Sequence, residues 1–282
     1  MGILNVTPDS FSDGGLYLDA DKAVAHGLDM AAKGADIIDV GGESTRPGAE
    51  PVEEEEEMRR VLPVIERLAR GTDALLSVDT NKATVARAAL KAGASIVNDI
   101  SGLGFDPRMA GVVAEEDAAL VLMHIKGTPN DMNVCPTYDD VVQEVTQYFR
   151  ERLSYAQAAG VDLDRVVLDP GIGFGKTTRH NYTLLRDLGR LAELGRPILL
   201  GTSRKRFIGE AIGNKPAEER VWGTAASVAC GVFTGAHIVR VHDVPEMVDV
   251  VRVTEAVVSA AQPEREATQQ DKCVAPTQSS GS

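Results

Sequence analysis

The chain has 282 residues, of which 43% are hydrophobic, and its formal net charge at pH 7 is −13. A chain of this length buries roughly three quarters of its unfolded surface, so the fold needs neither disulfides nor a structural metal. The acidic balance argues against nucleic-acid and anionic-membrane binding, although a local cluster of cations can still bind a small anion.

Three features of the sequence indicate a cytoplasmic protein. Cys135, Cys230 and Cys273 are far apart and lack the spacing of metal ligands, which favours a reducing compartment. The chain opens without a charged and then apolar leader. Residues 221–239 lack Asp, Glu, Lys and Arg, but the glycines and polar side chains among them favour a buried helix that runs into a strand over a membrane span.

Eight short apolar runs recur along the chain, and each is followed by charged or amide residues. The runs lie at 3–4, 37–38, 75–76, 96–97, 120–122, 166–168, 198–200 and 238–239. They are continuously apolar rather than alternating, which is typical of parallel strands buried on both faces. Eight such strands with their polar ends on one rim predict a (β/α)8 barrel (TIM barrel), an α/β fold whose active sites lie at the carboxyl ends of the strands.

Helical periodicity fills the intervals between these runs. The predicted helices span 20–33, 53–70, 82–92, 107–116, 139–159, 180–194, 217–235 and 244–259. The acidic run Glu53–Glu57 fits a solvated helix start, where the macrodipole favours negative charge. Gly34, Gly93 and Gly235 each stand just before a strand, where glycine ends a helix, so the same joint recurs as expected of repeated βα units.

The two ends of the chain set the expected domain boundaries. We expect one barrel domain over residues 1–259 and a disordered polar tail over 260–282, which is rich in Gln, Ser and Pro. Met1 lies almost inside the first strand, so we expect no segment to cover the floor of the barrel.

The loops after the first two strands, 8–15 and 41–49, are glycine-rich and longer than usual for a βα connection. Glycines alone would favour a mobile connection. Thr45 and Arg46 favour a binding role, because the planar guanidinium matches phosphate oxygens. Oxygens of Asn5, Asp9 and Asp13 are candidates to share a magnesium ion with such phosphates.

Asp79, Asn98 and Asp169 each end a different strand and are expected to project into the barrel mouth, with Asp39 behind them. Any one of them alone more often has a structural role. Together they predict a deep set of hydrogen-bond acceptors, which suits a flat heterocycle that carries an N–H beside an NH2 group.

The segment 168–176, LDPGIGFGK, follows the sixth strand. Its glycines allow close approach of the backbone to a ligand, Phe174 is placed to lie against a ring, and Lys176 adds a cation. As a phosphate loop the segment is a weak match, because it fits neither of the common glycine-rich motifs.

Cations follow the last two strands. The segment 203–207, SRKRF, carries three of them at a position where barrels often bind phosphate. Arg240 and His242 are two residues apart, which in a strand places both on one face. With Arg46 above them, these residues predict an outer edge of donors suited to a phosphate or diphosphate.

Seven segments in order resemble dihydropteroate synthase, from residue 2 to about 259. They are GILNVTPDSFSDGG (2–15), GGESTRPGA (41–49), SVDT (77–80), VNDISG (97–102), LDPGIGFGK (168–176), SRKRF (203–207) and RVHDV (240–244). The resemblance implies a transferase of folate synthesis that condenses 6-hydroxymethyl-7,8-dihydropterin diphosphate with p-aminobenzoate and releases pyrophosphate. It also implies inhibition by sulfonamides, a magnesium ion and a homodimer.

The resemblance assigns roles to individual residues. It places the pterin at Asp79, Asn98, Met123, Asp169 and Lys205, the diphosphate at Arg46, Arg240 and His242, p-aminobenzoate at Thr45, Pro47, Phe174 and Lys205, and magnesium at Asn5. Asp79, Asp169 and Lys205 are the expected catalytic residues. One departure is Arg206, because many members of the family carry serine after this lysine, and this puts a contact near the p-aminobenzoate carboxylate in question.

The expected chemistry is a dissociative substitution at the pterin CH2 group. Cations make the diphosphate a good leaving group, and the electron-rich ring, with Asp79 and Asp169 beside it, stabilises the cation that forms. Closure of loops 8–15 and 41–49 would exclude water.

Three alternatives are a pterin-binding methyltransferase barrel, a non-catalytic pterin or phosphate binder, and an aldolase that uses Lys205 as a Schiff-base amine.

Overall fold

The computed structural model describes residues 1–7, 16–44, 51–129, 131–132, 134 and 136–260. Its strands are β1 (Gly2–Asn5), β2 (Ile37–Gly41), β3 (Leu75–Asp79), β4 (Ile96–Asp99), β5 (Ala119–Met123), β6 (Val166–Asp169), β7 (Leu199–Leu200) and β8 (Ile238–Val239). Its α-helices are α1 (Leu16–Ala32), α2 (Glu54–Gly71), α3 (Ala83–Ala92), α4 (Met109–Glu115), α5 (Val141–Ala158), α6 (Thr178–Arg186), α7 (Arg206–Ala211), α8 (Val221–Phe233) and α9 (Val244–Ala260).

The strands form a closed parallel barrel, as the sequence predicts. Strands β1 to β6 pair in chain order, and β7 pairs with β8. Two single bridges join these sheets, one from Leu168 to Ile198 and one from Gly2 to Val241. The backbone N–H of Ile3 donates to the carbonyl of Val241 at 2.9 Å, which links the first strand to the last. All eight predicted strands are present in the predicted order.

The barrel interior is apolar below and polar at the carboxyl ends of the strands. A buried inner cluster consists of Met1, Ile37, Ile96, Val121 and Leu199. Two residues further along β2 and β4, on the same side of each strand, stand Asp39 and Asn98. The period of two therefore places an apolar layer under a polar one. Met1 is itself buried in the lower layer, at the floor that we expected to be uncovered.

The helices cover the outside of the barrel and bury their apolar faces against it. In α2 the buried face consists of Val61, Val64, Ile65 and Leu68, which follows the spacing of one helix face. The three glycine joints are confirmed, because Gly34, Gly93 and Gly235 have φ of 99°, 119° and 111°. Residues with a Cβ rarely adopt this conformation, which lets each helix end abruptly before the next strand.

The helices differ from the predictions in several places. The predicted helix 217–235 is a short 3-10 helix, Ala217–Glu219, followed by α8. The predicted helix 180–194 is α6 followed by a separate 3-10 helix, Leu188–Leu194. The buried leucines continue through the break, so apolar periodicity alone does not reveal it. The six-residue helix α7 was not predicted, because it is shorter than two turns and too short for periodicity to be seen.

Two burial predictions are also wrong in part. Helix α2 does begin within the acidic run, but Glu57 is fully buried and pairs with Lys82 instead of facing solvent. Residues 221–239 form a helix and a strand as expected, yet Trp222 is 82% exposed and Phe233 is 66% exposed. No helix within the described ranges is long and apolar enough to cross a membrane. The tail 261–282 lies outside the described residues.

Candidate active site

The polar ends of β2, β3 and β4 meet in the mouth of the barrel. Asp79 is the register partner of Asn98, and both side chains are buried. The Asn98 Nδ2 group donates to Asp39 Oδ2 at 3.0 Å. Asp39 therefore supports the other acceptors from behind, as expected, and its own carboxylate is fully buried.

Arg240 crosses the mouth from the end of β8 to these carboxylates. Its Nε donates to Asp39 Oδ2 at 2.6 Å, and its Nη2 donates to Asp79 Oδ2 at 2.7 Å. The prediction that the cations stand apart from the acceptors is therefore wrong for Arg240. Two buried carboxylates are costly without donors, and a guanidinium can bond both at once.

Burial and charge oppose each other in this cluster. Burial raises the pKa of Asp79 to about 7, while the Arg240 charge lowers it and the Asp39 charge raises it further. Although burial disfavours its charge, the Asp39 and Asp79 carboxylates raise the pKa of Arg240 above its ordinary value. Asp79 thus lies close to its titration point near neutral pH, next to a permanent cation.

Lys205 and Asp169 lie on the opposite side of the mouth. Lys205 immediately precedes α7, and its Nζ donates to the carbonyl of Ile172 and lies 4.7 Å from the centre of the Phe174 ring. Burial lowers the pKa of Lys205 to about 8, and the nearby Asp169 charge opposes this shift. The Asp169 Oδ1 atom accepts from the Gly171 amide at 2.8 Å.

Asp169 has the same electrostatic character as Asp79. Burial raises its pKa, and the Lys205 charge opposes the shift. Gly173 makes room for this arrangement, because a Cβ built there would come within 3.2 Å of Lys205 Cδ, and its φ is 86°. The glycines of the segment 168–176 therefore allow the lysine to pass close to the backbone.

The other two cations of SRKRF point away from Lys205. Arg204 donates through Nε to Asp243 Oδ2 at 3.0 Å. Arg206, whose side chain is 74% exposed, pairs with Glu210 at 3.1 Å. Arg204 and Arg206 are thus each paired with a carboxylate, whereas Lys205 contacts the carbonyl of Ile172.

His242 lies beside Ser203. Its Nδ1 is 2.9 Å from Ser203 Oγ, and its backbone N–H donates to the same oxygen at 3.1 Å. Ser203 thereby joins the ends of β7 and β8. The sequence motif drew attention to the cations around Ser203 and not to this hydroxyl.

Met123 and Phe174 form an apolar side of the mouth. Met123 belongs to a small buried cluster with Ile100, Ile125 and Met132, and Phe174 packs against that cluster. Met123 is also the register partner of Asp169, so the apolar and acidic surfaces adjoin. This pairing is suited to the face and the edge of a planar ring.

Lys176 is not a cation of the mouth. It is only 3% exposed, and its Nζ lies 2.8 Å from His124 Nδ1. The sequence predicts that Lys176 adds a cation for a ligand, but its burial lowers its pKa and its Nζ contacts protein groups. No role was predicted for His124, which is buried beside Lys176.

Asn5 ends β1, is partly buried, and pairs in register with Gly41, which in turn pairs with Asp79. Asn5 thus lies at the same level of the barrel as the acidic cluster. The predicted residues Asp9, Asp13, Thr45, Arg46 and Pro47 lie outside the described part of the chain. The described ranges hold no group of three or more His, Cys, Asp or Glu side chains that could bind a metal ion by themselves.

A second polar cluster lies beside Asp79 and was not predicted. Lys82 Nζ donates to both Glu43 and Glu57. Glu43 also accepts from the backbone N–H of Val52 at 3.1 Å, so it joins the two sides of the 45–50 segment. Burial raises the pKa of Glu57, against the hydrogen bond from Lys82. The unusual density of glutamates is visible in the sequence. The burial of Glu57 is not.

The mouth of the barrel presents a buried set of hydrogen-bond acceptors and a set of hydrogen-bond donors. The acceptors are Asp79, Asn98 and Asp169, and the donors are Lys205 and Arg240 with His242 close to the end of β8. The apolar Met123 and Phe174 border them. Such a site can hold a polar heterocycle by its edge and can stabilise charge that develops on it.

Comparison with known proteins gives a consistent result. The family model described as "Pterin binding enzyme" matches residues 1–242. The chain is 50% identical over 259 residues to the dihydropteroate synthase of Bacillus subtilis, covering 92% of this chain and 88% of the relative. It is 47% identical over 265 residues to the dihydropteroate synthase of Escherichia coli, covering 94% and 93%.

Solved structures are similarly close. The dihydropteroate synthase of Xanthomonas albilineans with 4-aminobenzoic acid is 51% identical and superposes with a TM-score of 0.87, covering 93% of each chain. The Yersinia pestis dihydropteroate synthase in a sulfonamide drug complex is 44% identical with a TM-score of 0.87, covering 92% of this chain and 94% of that one.

Proposed function

The chain belongs to the pterin-binding enzyme family, among its dihydropteroate synthases, and we propose that it joins 6-hydroxymethyl-7,8-dihydropterin diphosphate to p-aminobenzoate and releases pyrophosphate. It is therefore a transferase of folate synthesis. The observation that carries this function is the convergence of three buried acceptors from β3, β4 and β6 with Lys205 in one barrel mouth. The methyltransferase, binder and aldolase alternatives find no support in these relatives.

The pterin is recognised by the acceptors Asp79, Asn98 and Asp169. A pterin presents an N–H and an NH2 group along one edge, which matches carboxylate and amide oxygens. The Gly171 amide fixes one oxygen of Asp169, so the carboxylate is oriented before a ligand arrives. Met123 packs against one face of the ring, and Lys205 donates to an acceptor of the same ring.

The diphosphate is bound by Arg240 and His242, together with Arg46. Arg240 is held by Asp39 through Nε, and its bond to Asp79 uses a different nitrogen. The guanidinium can therefore keep the Asp39 anchor while its outer edge turns to a phosphate oxygen. The Ser203 hydroxyl orients the His242 ring towards the same ligand.

The reaction is a substitution in which the bond from the pterin CH2 to the diphosphate oxygen breaks ahead of attack. The carboxylates Asp79 and Asp169 stabilise positive charge on the pterin, and the cations neutralise the leaving group. The amine of p-aminobenzoate is neutral near pH 7 and attacks without a strong general base. Its ring lies against Phe174 beside Lys205, and the family resemblance also assigns Thr45 and Pro47 to this substrate.

A magnesium ion would be shared between Asn5 and the diphosphate. The Asn5 side chain offers a hard oxygen at the level of Asp79, which suits an ion that takes one or two protein oxygens and several from waters and phosphates. When bound, the ion neutralises the leaving group. Asn5, at the end of β1, would hold the ion, and Arg240 supplies a second positive charge for the diphosphate.

The exposed apolar surface of α8 and α9 supports a homodimer. The large apolar side chains exposed on these two helices include Trp222, Phe233, Val253 and Val257. Large apolar side chains grouped on one face mark an interaction surface. A second copy of the chain would cover this surface and leave the barrel mouth open.

We also propose that the protein is located in the cytoplasm. The thiol of Cys230 is free and exposed, which suits a reducing compartment.

The proposed function is tested by measuring pyrophosphate release with both substrates and with each one omitted. Release that requires both, with 7,8-dihydropteroate formed in equal amount, is the expected result. Asp169→Asn should abolish most of this activity, whereas the surface variant Asp21→Asn should retain it. Tight pterin binding without release would show a non-catalytic binder instead.

A further inference from the structure

Lys176 is a buried lysine whose polar contacts all lie within the protein. Its Nζ lies 3.0 Å from the carbonyl of Gly171, 3.0 Å from the carbonyl of Phe174 and 2.8 Å from His124 Nδ1. These three nearest partners match the three N–H donors of an ammonium group, and the His124 carbonyl lies farther away at 3.4 Å. The side chain therefore ties both ends of the turn 171–174 to the end of β5.

Both protonation states of this pair maintain the turn. Burial lowers the pKa of Lys176 and also that of His124. A charged lysine donates to the two carbonyls and to Nδ1, while a neutral one donates to the same carbonyls and accepts from an Nδ1–H. The two carbonyl contacts are common to both states, so the turn does not depend on the protonation of Lys176.

The turn held by Lys176 shapes the mouth of the barrel. Its Ile172 carbonyl accepts from Lys205 Nζ, and its Phe174 ring lies 4.7 Å from the same nitrogen. Gly171 packs so closely on the backbone of His124 that a Cβ there would come within 1.9 Å of the His124 carbonyl oxygen. A displacement of this turn would therefore move two of the contacts that locate Lys205.

Residues outside the segment 171–176 form hydrogen bonds to other parts of it. The Gly173 amide donates to Asn181 Oδ1 at 2.8 Å, and the Tyr138 hydroxyl donates to the Gly175 carbonyl at 2.9 Å. These contacts fix the outer side of the segment, whereas Lys176 fills its inner side. Loss of the lysine would leave the carbonyls of Gly171 and Phe174 without this donor, which destabilises the turn.

We propose that Lys176, together with His124, is a positioning residue for p-aminobenzoate: it holds the turn 171–174 so that the Ile172 carbonyl and the Phe174 ring place Lys205. This inference rests on the proposed function, because it assigns p-aminobenzoate to Phe174 and Lys205. Lys176 is treated as a positioning residue and not as a catalytic one, since it is only 3% exposed and its Nζ bonds the Gly171 and Phe174 carbonyls and His124. Asp79 and Asn98, on β3 and β4, do not depend on this turn.

The test compares Lys176→Met with Lys126→Met. The control removes a lysine that is exposed, lies near the same segment and contacts the Tyr138 ring through its Nζ, 4.1 Å from the ring centre. In Lys176→Met the KM for p-aminobenzoate should rise by about tenfold or more, while the KM for the pterin diphosphate changes by less than about threefold. Lys126→Met should leave both values near those of the unmodified chain.

Amide hydrogen exchange provides a readout that does not require turnover. In Lys176→Met, exchange should accelerate in residues 171–176 and stay unchanged in 77–80 and 96–99. The inference is overturned if exchange in 171–176 stays unchanged, or if both KM values and exchange throughout the barrel change together. The exchange result stands even if the chain shows no turnover, so the two proposals fail separately.

A second variant covers the case in which Lys176→Met does not fold. His124→Phe keeps a ring that can pack against Tyr148 at the present 4.7 Å centroid distance but removes Nδ1. It should accelerate exchange in the same residues by a smaller factor. Unchanged exchange in His124→Phe would exclude His124 from the positioning pair.

Discussion

Arg240 and Asp79, which are 161 positions apart in the sequence, are joined in the barrel mouth by a hydrogen bond of 2.7 Å from Nη2 to Oδ2. A second bond anchors Arg240 to Asp39. The cation proposed for the diphosphate is thus stored against the acids proposed for the pterin. Arrival of a diphosphate would place a stronger acceptor near Arg240 and release Asp79 towards the pterin.

Replacement of Arg240 by alanine should affect both stability and turnover. Removal of one partner from a buried ion pair typically costs about 3–5 kcal/mol, and loss of a charged leaving-group contact lowers kcat/KM by about 100-fold or more. Arg240→Lys should recover part of the stability and less of the activity, because lysine cannot bond Asp39 and Asp79 as a planar fork. Urea unfolding and steady-state kinetics measure the two effects, and unchanged turnover in Arg240→Ala would refute the diphosphate assignment.

Asp79 should make stability depend on pH. Its pKa is raised to about 7 in the folded chain, so the folded state holds the proton more tightly than the unfolded state does. Stability from this group is therefore greatest at low pH and is lost as pH rises from about 4 to about 7. The Asp79→Asn variant has no carboxyl group at this position, so it does not lose stability through this group as pH rises.

The unfolding free energy of Asp79→Asn should therefore improve relative to the unmodified chain by about 1–4 kcal/mol when the pH is raised from about 4 to about 8. Chemical denaturation at several pH values measures the difference. The surface variant Asp21→Asn serves as the control, since the side chain of Asp21 is 64% exposed and pairs with Arg67 away from the mouth. A difference that does not vary with pH would show that Asp79 does not titrate in this range.

Lys205 should set the alkaline limit of activity. Burial lowers its pKa to about 8, so its charge is lost as pH rises through that value. If the charge is needed to bind the substrates, kcat/KM of the unmodified chain should fall above about pH 8. Lys205→Met should reduce kcat/KM by about 100-fold and remove this alkaline limb. A profile that is flat from pH 7 to pH 10 would contradict the role.

The apolar surface on α8 should control assembly. Trp222→Glu places a charge in the proposed interface and should convert the homodimer to a monomer in sedimentation experiments. Phe105→Glu is the matched control, because Phe105 is also an exposed aromatic residue but lies away from α8. Dimers that survive Trp222→Glu would place the interface elsewhere, and a monomeric unmodified chain would refute the dimer itself.

The sequence predicted the barrel more completely than the site. Eight apolar runs, each ended by polar residues, were enough for the strands, their order and the level at which Asp79, Asn98 and Asp169 lie. Their meeting in one mouth follows from closure of a parallel barrel. The helix–glycine joints were predictable because positive φ strongly favours glycine.

The contacts among side chains could be predicted less well from the sequence. Arg240 and Lys176 are both cations in the sequence, but one bonds two buried acids and the other bonds two buried carbonyls. The difference depends on which backbone and side-chain groups converge around each cation, and no local pattern records this. The exposed face of α8 was missed for the same reason, since an uncharged helix is compatible with burial in a core or in an interface.

The most direct test of the account is a crystal structure of this chain with 6-hydroxymethyl-7,8-dihydropterin diphosphate and magnesium. We expect the N–H and NH2 edge of the pterin within hydrogen-bonding distance of Asp169 and Asn98, with the diphosphate next to Arg240 and His242. A pterin bound outside the mouth, or a diphosphate bound away from Arg240, would contradict the proposed site.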